Sequence, residues 1–315
     1  MAFYVVVGKG PVGVATTKLL GEQGHRVRVI SRTGGTSDGS VEHVALDVTA
    51  NAASLIELTT GAAALLSCAS PPYPRWVAGW PPLATALLDA AEKSGAVLLL
   101  VNNLYAYGPT DGPMTEGLPL AAQTRKGQVR AQVWQAALSR YQDGRIRVAE
   151  ARASDFIGPD VVANGHLAGR VVPALLRGRP ARVLGDPDAA HSWTFVPDVA
   201  RTLVRLAEDE RAWGRAWHVP TAEPYSTRAA VERMCRISEV SPVSVSTTPW
   251  WLLRALGLFS PMLRELGEVR YQFDRPFIID SRAYTSTFGE HPTPSEDALA
   301  STVQWWQRRL ALTGP

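Results

Sequence analysis

Along the first half of the chain, short apolar runs alternate with stretches whose apolar positions recur every three to four residues. The runs at 3–7, 26–31, 41–46, 62–68, 96–101 and 145–149 predict strands, and the periodic stretches at about 12–23, 51–58, 83–93 and 121–141 predict helices. Such alternation makes a parallel sheet with helices on both faces, because each parallel connection crosses over through a helix. After Gly158 and Pro159 the pattern turns irregular. A helix near 167–177, a strand at 182–184, the unassigned segment 191–196, a helix at 198–208, a strand at 216–219 and a last helix at 295–310 follow there. Proline-rich breaks at 220–224, 241–249 and 292–294 separate the later elements. The predicted architecture is α/β: a doubly wound parallel sheet over 1–160, completed by about 191–220, with a smaller lobe from 161–190 and 221–315.

The first strand runs directly into Gly8-Lys9-Gly10-Pro11-Val12-Gly13 and then a helix. The spacing has a physical reading: Gly8 permits a tight turn, Gly10 lets backbone approach a pyrophosphate, and Gly13 lets helix and strand pack closely. The helix N-terminus then faces the negative charge. In this strand–turn–helix context the motif predicts a bound dinucleotide.

Composition narrows the class further. Lys and Arg number 32 against 29 Asp and Glu, a formal charge of +3, and the basic residues are scattered rather than gathered in a stripe, so no nucleic-acid partner is predicted. Cys68 and Cys235 share no metal or redox spacing and read as small buried side chains, and no metal site is predicted. No uncharged apolar run approaches the ~18 residues of a membrane span. The most apolar stretch of the second half, 250–259, carries Arg254 alone, so it is expected to pack within the smaller lobe, where it could serve as a lid, rather than on a membrane. A cytoplasmic protein is the expectation.

Laid end to end, the landmarks resemble a known family. They are the glycine turn, Asp47-Val48, the run Asn102-Asn103-Leu104-Tyr105-Ala106-Tyr107-Gly108-Pro109, Gly158-Pro159, and Phe195-Val196-Pro197-Asp198-Val199-Ala200. Over nearly the whole chain this is similar to an atypical extended short-chain dehydrogenase/reductase of the NAD(P)-dependent epimerase/dehydratase type. The resemblance implies a Rossmann domain of about seven strands, a C-terminal substrate lobe, and a homodimer through the helices at 83–93 and 121–141. It also implies a Tyr and a Lys four residues apart on the latter helix. This chain has Thr124 and Gln128 at those positions, and neither can do that work. Arg125 and Lys126 are offset around the helix and read as solvated or as touching a neighbouring loop.

A proton donor is then sought at the end of the fifth strand, where ligands of open α/β sheets bind. If that segment stays extended, Asn103, Tyr105 and Tyr107 share a face. By resemblance, Asn103 falls where the family orients the reacting oxygen, and its amide can donate. Tyr105 falls where sugar dehydratases of the family carry an acidic catalytic group. A phenol, with an ordinary pKa of about 10, is a poor base at neutral pH but a competent donor to an alkoxide that forms as hydride arrives. Tyr107 reads as packing.

After the second strand the chain offers Ser31 and Arg32 instead of the carboxylate that accepts from a ribose 2′-hydroxyl. Arg32, with Lys9, therefore favours NADP(H), with NAD(H) as the lesser possibility. By resemblance Asp47 and Val48 flank the adenine, Cys68, Ala69 and Ser70 lie beneath the dinucleotide, and Gln128 and Phe156 also line the cofactor. Tyr73 and Trp76, on a proline-rich loop, and His166, His191 and Trp193 in the later segments, are the candidates for a small, partly apolar substrate. The leading expectation is an NADPH-dependent reductase of a carbonyl-like group, with Tyr105 as donor and Asn103 as the orienting group. Epimerisation or dehydration with retained cofactor, and a non-catalytic NADP-binding redox sensor, are the alternatives.

Overall fold

A computed structural model of the chain describes residues 1–162 and 165–313. Seven strands form the main sheet: β1 (Phe3–Val7), β2 (Arg26–Ser31), β3 (Val41–Ala45), β4 (Ala64–Ser67), β5 (Val97–Asn103), β6 (Val148–Ala153) and β7 (Arg215–His218), in the order β7-β6-β5-β4-β1-β2-β3. The registered pairs run parallel, with Val5 opposite Arg28 on one side and Leu65 on the other. All five residues of β1 are buried, as a strand covered on both faces requires. Chain order reverses between β1 and β4, which opens a crevice at their C-terminal ends.

Helices α1 (Pro11–Glu22), α2 (Ala52–Thr59), α3 (Trp76–Ser94), α4 (Arg125–Gln142) and α5 (Val196–Glu208) complete this part of the molecule. The sequence expected α3 to begin only at Leu83, but it starts at Trp76 and carries Pro81 and Pro82 inside it. Those prolines leave the carbonyls four residues earlier, on Val77 and Ala78, without intrahelical donors; both residues are exposed, so water can satisfy them. The sixth strand lies later than expected, at Val148–Ala153 rather than 145–149. Glu150 and Arg152 broke the apolar pattern in the sequence, yet both are buried because their side chains pair at 2.6 Å.

Contacts divide the chain into two units. The first comprises Met1–Gly108, Pro119–Arg152 and Val199–Val219, and contains the sheet. The second comprises Pro109–Leu118, Ala153–Asp198 and Pro220–Pro315. Its core gathers Leu167, Val171, Trp193, Met234, Leu299 and Trp306, with helices Thr227–Ser238 and Ser295–Thr313 packed together. The segment around 191–196 holds two short strands: Ala190–His191 pairs with Tyr225–Ser226, and Trp193–Phe195 pairs with Asp155–Ile157. Ser192 makes the break, donating its N–H to the Phe277 carbonyl at 3.0 Å and accepting from the Ile279 N–H at 3.1 Å. The helix expected over 167–177 is present as a wide π-helix, His166–Val171, running into a short α-helix, Val172–Leu175, where Pro173 lacks an N–H to give back to the preceding turn.

Candidate cofactor cradle and active-site residues

Gly8 ends β1 with φ at +108°, a conformation glycine adopts freely, and its N–H donates to the Ile30 carbonyl at 2.8 Å. A Cβ on Gly8 would stand 2.6 Å from the Ala69 nitrogen, so β1 and the Cys68-Ala69 segment meet backbone to backbone. A Cβ on Gly13 would stand 2.1 Å from the Gly8 carbonyl oxygen, which holds α1 against the turn. Gly10 is different: nothing lies within 4 Å of where its Cβ would be. It is the N-cap of α1 and supplies no side-chain acceptor, with Pro11 in the first turn. Open space over Gly10, before a helix start without a side-chain cap, suits a diphosphate. The residues present therefore fit a dinucleotide.

Around this turn the individual assignments divide. Ser31 and exposed Arg32 end β2 with no carboxylate between them. Lys9, expected to assist Arg32, gives its ammonium to the Gly34 carbonyl at 2.7 Å and so ties two loops together. The Asp47 carboxyl is held below its usual range chiefly by the Thr49 hydroxyl at 2.6 Å and the Thr49 N–H at 3.0 Å, and the next residue, Val48, is buried. Burial pushes the Cys68 thiol up to about 12, against a hydrogen bond with Thr16, so it stays protonated. Ser70 is exposed and donates to the Pro71 carbonyl.

At the end of β5 the expected alternation fails. Tyr105–Tyr107 is a tight 3-10 turn, so Asn103, Tyr105 and Tyr107 do not share one face of an extended strand. The Asn103 side-chain oxygen accepts the Tyr105 N–H at 3.1 Å, which commits the oxygen to the turn and leaves the amide nitrogen as the donor. Tyr105 is buried beside Trp76, with ring centroids 5.9 Å apart. Tyr107 belongs to packing, as its place in the turn suggested: its hydroxyl lies 2.7 Å from His218 Nε2 and accepts from Arg152 at 2.6 Å.

Helix α4 shows where Thr124 and Gln128 stand and what surrounds them. Thr124 is the N-cap, its hydroxyl accepting the Gly127 N–H at 3.2 Å, while Arg125 and Gln128 are exposed. Lys126 is only 1% exposed, so of its two readings, solvated or touching a neighbouring loop, the second holds. Its ammonium lies 4.9 Å from the Tyr73 ring centroid, and Tyr73 packs edge-on against Trp76 at 5.0 Å. Gly127 fits because a Cβ there would meet the Tyr105 carbonyl oxygen at 2.5 Å, so the first turn of α4 presses on the Tyr105 turn. Tyr73, Trp76, Tyr105 and Lys126 thus form one corner. Spacing along α4 could not reveal Lys126, because the partners that enclose it come from the loop after β4.

Beneath this corner runs a chain of buried charge. Arg130 donates to the Asn102 side-chain oxygen and to the Val101 carbonyl, and the Trp80 ring covers its guanidinium at 3.7 Å. Asn102 donates to Glu150 at 2.6 Å, and Glu150 accepts from Arg152 at 2.6 Å. Burial pushes Arg130 down to about 9, with Glu150 opposing and Arg152 adding to the shift. Burial also pulls on Arg152, but Glu150 and Tyr107 more than restore it. Asn102 accepts the Asn103 N–H at 2.8 Å, so the network reaches the residue that ends β5.

In the second unit the structure brings His166, His191 and Trp193 together and adds Asp155, which the sequence reading missed. His191 Nε2 and Asp155 Oδ2 are 3.0 Å apart, and the His191 ring lies between Trp193 at 4.3 Å and Phe277 at 5.4 Å. His166 stacks on Trp193 at 6.2 Å and touches Phe273 at 4.9 Å. Burial works to raise the Asp155 carboxyl, but contact with His191 and the fields of His191 and His166 hold it below its usual value. Burial drives His166 down to about 4, only partly opposed by Asp155, so it is neutral near pH 7. Phe156, half-buried, occupies the next position on the same strand.

A parallel sheet whose crevice carries a glycine cradle defines a dinucleotide-binding protein of the Rossmann class. The model for the NAD dependent epimerase/dehydratase family matches residues 4–219, and the chain belongs to that family. Among characterised proteins, UDP-glucuronic acid decarboxylase 4 of Arabidopsis thaliana is 26% identical over 131 residues, which is 39% of this chain and 30% of that protein. The match thus spans under a third of the relative's length. Among solved structures, dTDP-glucose 4,6-dehydratase of Bacillus anthracis str. Ames in complex with NAD superposes with a TM-score of 0.80 at 17% identity, over 98% of this chain and 97% of that one. UDP-glucuronic acid 4-epimerase of Bacillus cereus, with UDP-glucuronic acid and NAD, gives 0.80 at 15% identity over 98% and 100%. At these identities the likeness is one of fold.

Proposed function

We propose that this protein reduces a carbonyl-like group of a small metabolite with NADPH, using Asn103 and Tyr105 in place of the missing tyrosine–lysine pair. The observation that carries this reading is the turn after β5. There Asn103 spends its oxygen on the Tyr105 N–H and keeps its amide nitrogen to donate. A bound nicotinamide supplies the hydride. As negative charge grows on the substrate oxygen, Asn103 donates to it and the Tyr105 hydroxyl delivers the proton. Lys126, buried in the same corner, makes that negative charge less costly. Arg32 supports NADP(H), because a guanidinium suits a 2′-phosphate that a carboxylate would repel. Gly8, Gly10 and Gly13 hold the diphosphate, and Tyr73 and Trp76 form the apolar wall for the substrate.

A second reading, epimerisation or dehydration in which hydride leaves and returns, is favoured by the named activities of the solved relatives, a dehydratase and an epimerase, both holding NAD. One experiment separates the two. Purified protein is assayed for NADPH oxidation across a panel of ketones, and for product formation from sugar nucleotides with no cofactor added. Reduction predicts turnover in the first arm only, with Tyr105→Phe lowering kcat about 100-fold or more. Turnover in the second arm alone, or a Tyr105→Phe variant as active as the parent, overturns the proposal.

A further inference from the structure

The geometry points to a membrane-surface contact: the helical hairpin at 250–266 forms a patch that seats on a bilayer bearing anionic headgroups. The first helix, Trp250–Gly257, buries only Leu253 and Gly257. A Cβ on Gly257 would stand 3.2 Å from the Arg264 Cα, so the second helix, Pro261–Leu266, crosses tightly at that point. This crossing leaves the connection, Leu258 and Phe259, at an outer corner, 79% and 89% exposed, with Trp251 at 71% beside them. Among the described residues ten large apolar side chains are markedly exposed, and four of them fall within 251–259. Isolated exposed apolar residues need no explanation, but such a concentration marks an interaction site.

Charge selects the partner. The sequence alone gave this stretch one basic residue, Arg254, and on that ground argued against a membrane. In the structure Arg254, Arg264 and Arg270 line a single cleft of about 410 Å³ with Trp250, Leu253 and Leu263. All three arginines are exposed, whereas Glu265 and Glu268 are half-buried. Arg270 is shared with Asp274, an exposed pair that binds weakly, and its guanidinium lies 5.1 Å from the Trp250 ring. An exposed apolar corner on a hairpin whose cleft carries guanidiniums on long stems is an arrangement suited to a headgroup boundary: the corner enters the acyl edge and the arginines meet phosphate. The inference does not depend on the proposed reaction.

The test is co-sedimentation of the full-length protein with vesicles of phosphatidylcholine alone, and of equal parts phosphatidylcholine and phosphatidylglycerol. Binding to the anionic vesicles is expected, weakened by added salt. Arg254→Gln should lower it about fivefold, and the double variant Leu258→Ser with Phe259→Ser should abolish it. Because those side chains are exposed, melting temperature and dinucleotide affinity should stay at parental values. No binding to anionic vesicles, or binding that the double variant retains, overturns the inference. So does lipid-free self-association that the double variant abolishes while vesicles capture nothing, since the patch would then meet a second copy of the chain.

Discussion

Gly10→Ala separates the fold from the cradle. The backbone at Gly10 has φ −74° and ψ −176°, an extended conformation open to any residue, and an added Cβ meets nothing within 4 Å. The substitution therefore costs the folded state nothing sterically, and by restricting the unfolded chain it should stabilise by about 0.4–1 kcal/mol. Its effect on a bound diphosphate is opposite. A methyl group in that open space displaces phosphate oxygens by roughly an ångström, and each charge-assisted bond from a backbone N–H that is lost costs about 1.5–3 kcal/mol. Losing one or two amounts to about 3 kcal/mol, or about 100-fold in affinity. Gly13→Ala is the contrasting variant. Its Cβ would stand 2.1 Å from the Gly8 carbonyl oxygen, so it should lower stability by about 1–3 kcal/mol as well as weaken binding. Calorimetric titration with NADPH and NADH, beside thermal melts of all three proteins, reads both quantities. A Gly10→Ala variant that binds either dinucleotide as tightly as the parent refutes the assignment of that space to the diphosphate.

Arg32→Glu should reverse the preference between NADPH and NADH, through repulsion of the 2′-phosphate; titrating both cofactors checks this, and an unchanged ratio removes Arg32 from recognition. Glu150→Gln leaves Arg152 and Arg130 without the carboxylate between them and should destabilise by about 3–5 kcal/mol in urea unfolding; a loss under about 1 kcal/mol would show that this network contributes little. His166, at about 4 in the folded state against an ordinary 6.5, binds its proton more readily when unfolded, so stability should rise with pH between those values and fall as acid is added. Asp155, held low, adds a loss of the same sign at lower pH. A pH series of melts on the parent and on His166→Phe should show the upper part of that slope flattened in the variant, and identical slopes would contradict the assignment.

Much of the sheet was legible from local spacing alone. The run at 3–7 and the interval from Gly8 to Gly13 specify a buried strand, a tight turn and a helix start, because those properties depend on neighbours within a few residues. The Ser31-Arg32 pair after β2, with no carboxylate at either position, could likewise be read directly from the chain, whereas setting Thr124 and Gln128 against the family's tyrosine and lysine rested on the resemblance. Charged residues misled where distant partners neutralise them. Glu150 and Arg152 interrupt the apolar run yet lie in a buried strand, and Lys126, read as solvated or as touching a neighbouring loop, is buried against Tyr73 of such a loop.

Strand order decided the rest, by bringing together residues whose separation carries no periodic signal. Arg130 reaches Asn102 from 28 positions away, and Asp155 meets His191 across a segment that the sequence showed only as irregular. The turn at Tyr105 abolished an alternation that an extended chain would have kept, because Asn103 and the first turn of α4 hold it closed. Packing of Gly257 on Arg264 likewise left Leu258 and Phe259 outward, and folding brought three arginines to one cleft. Local spacing determined where backbone could approach a cofactor; only tertiary contacts determined which side chains stay charged, which are enclosed, and which face outward, since burial and charge compensation belong to the assembled chain.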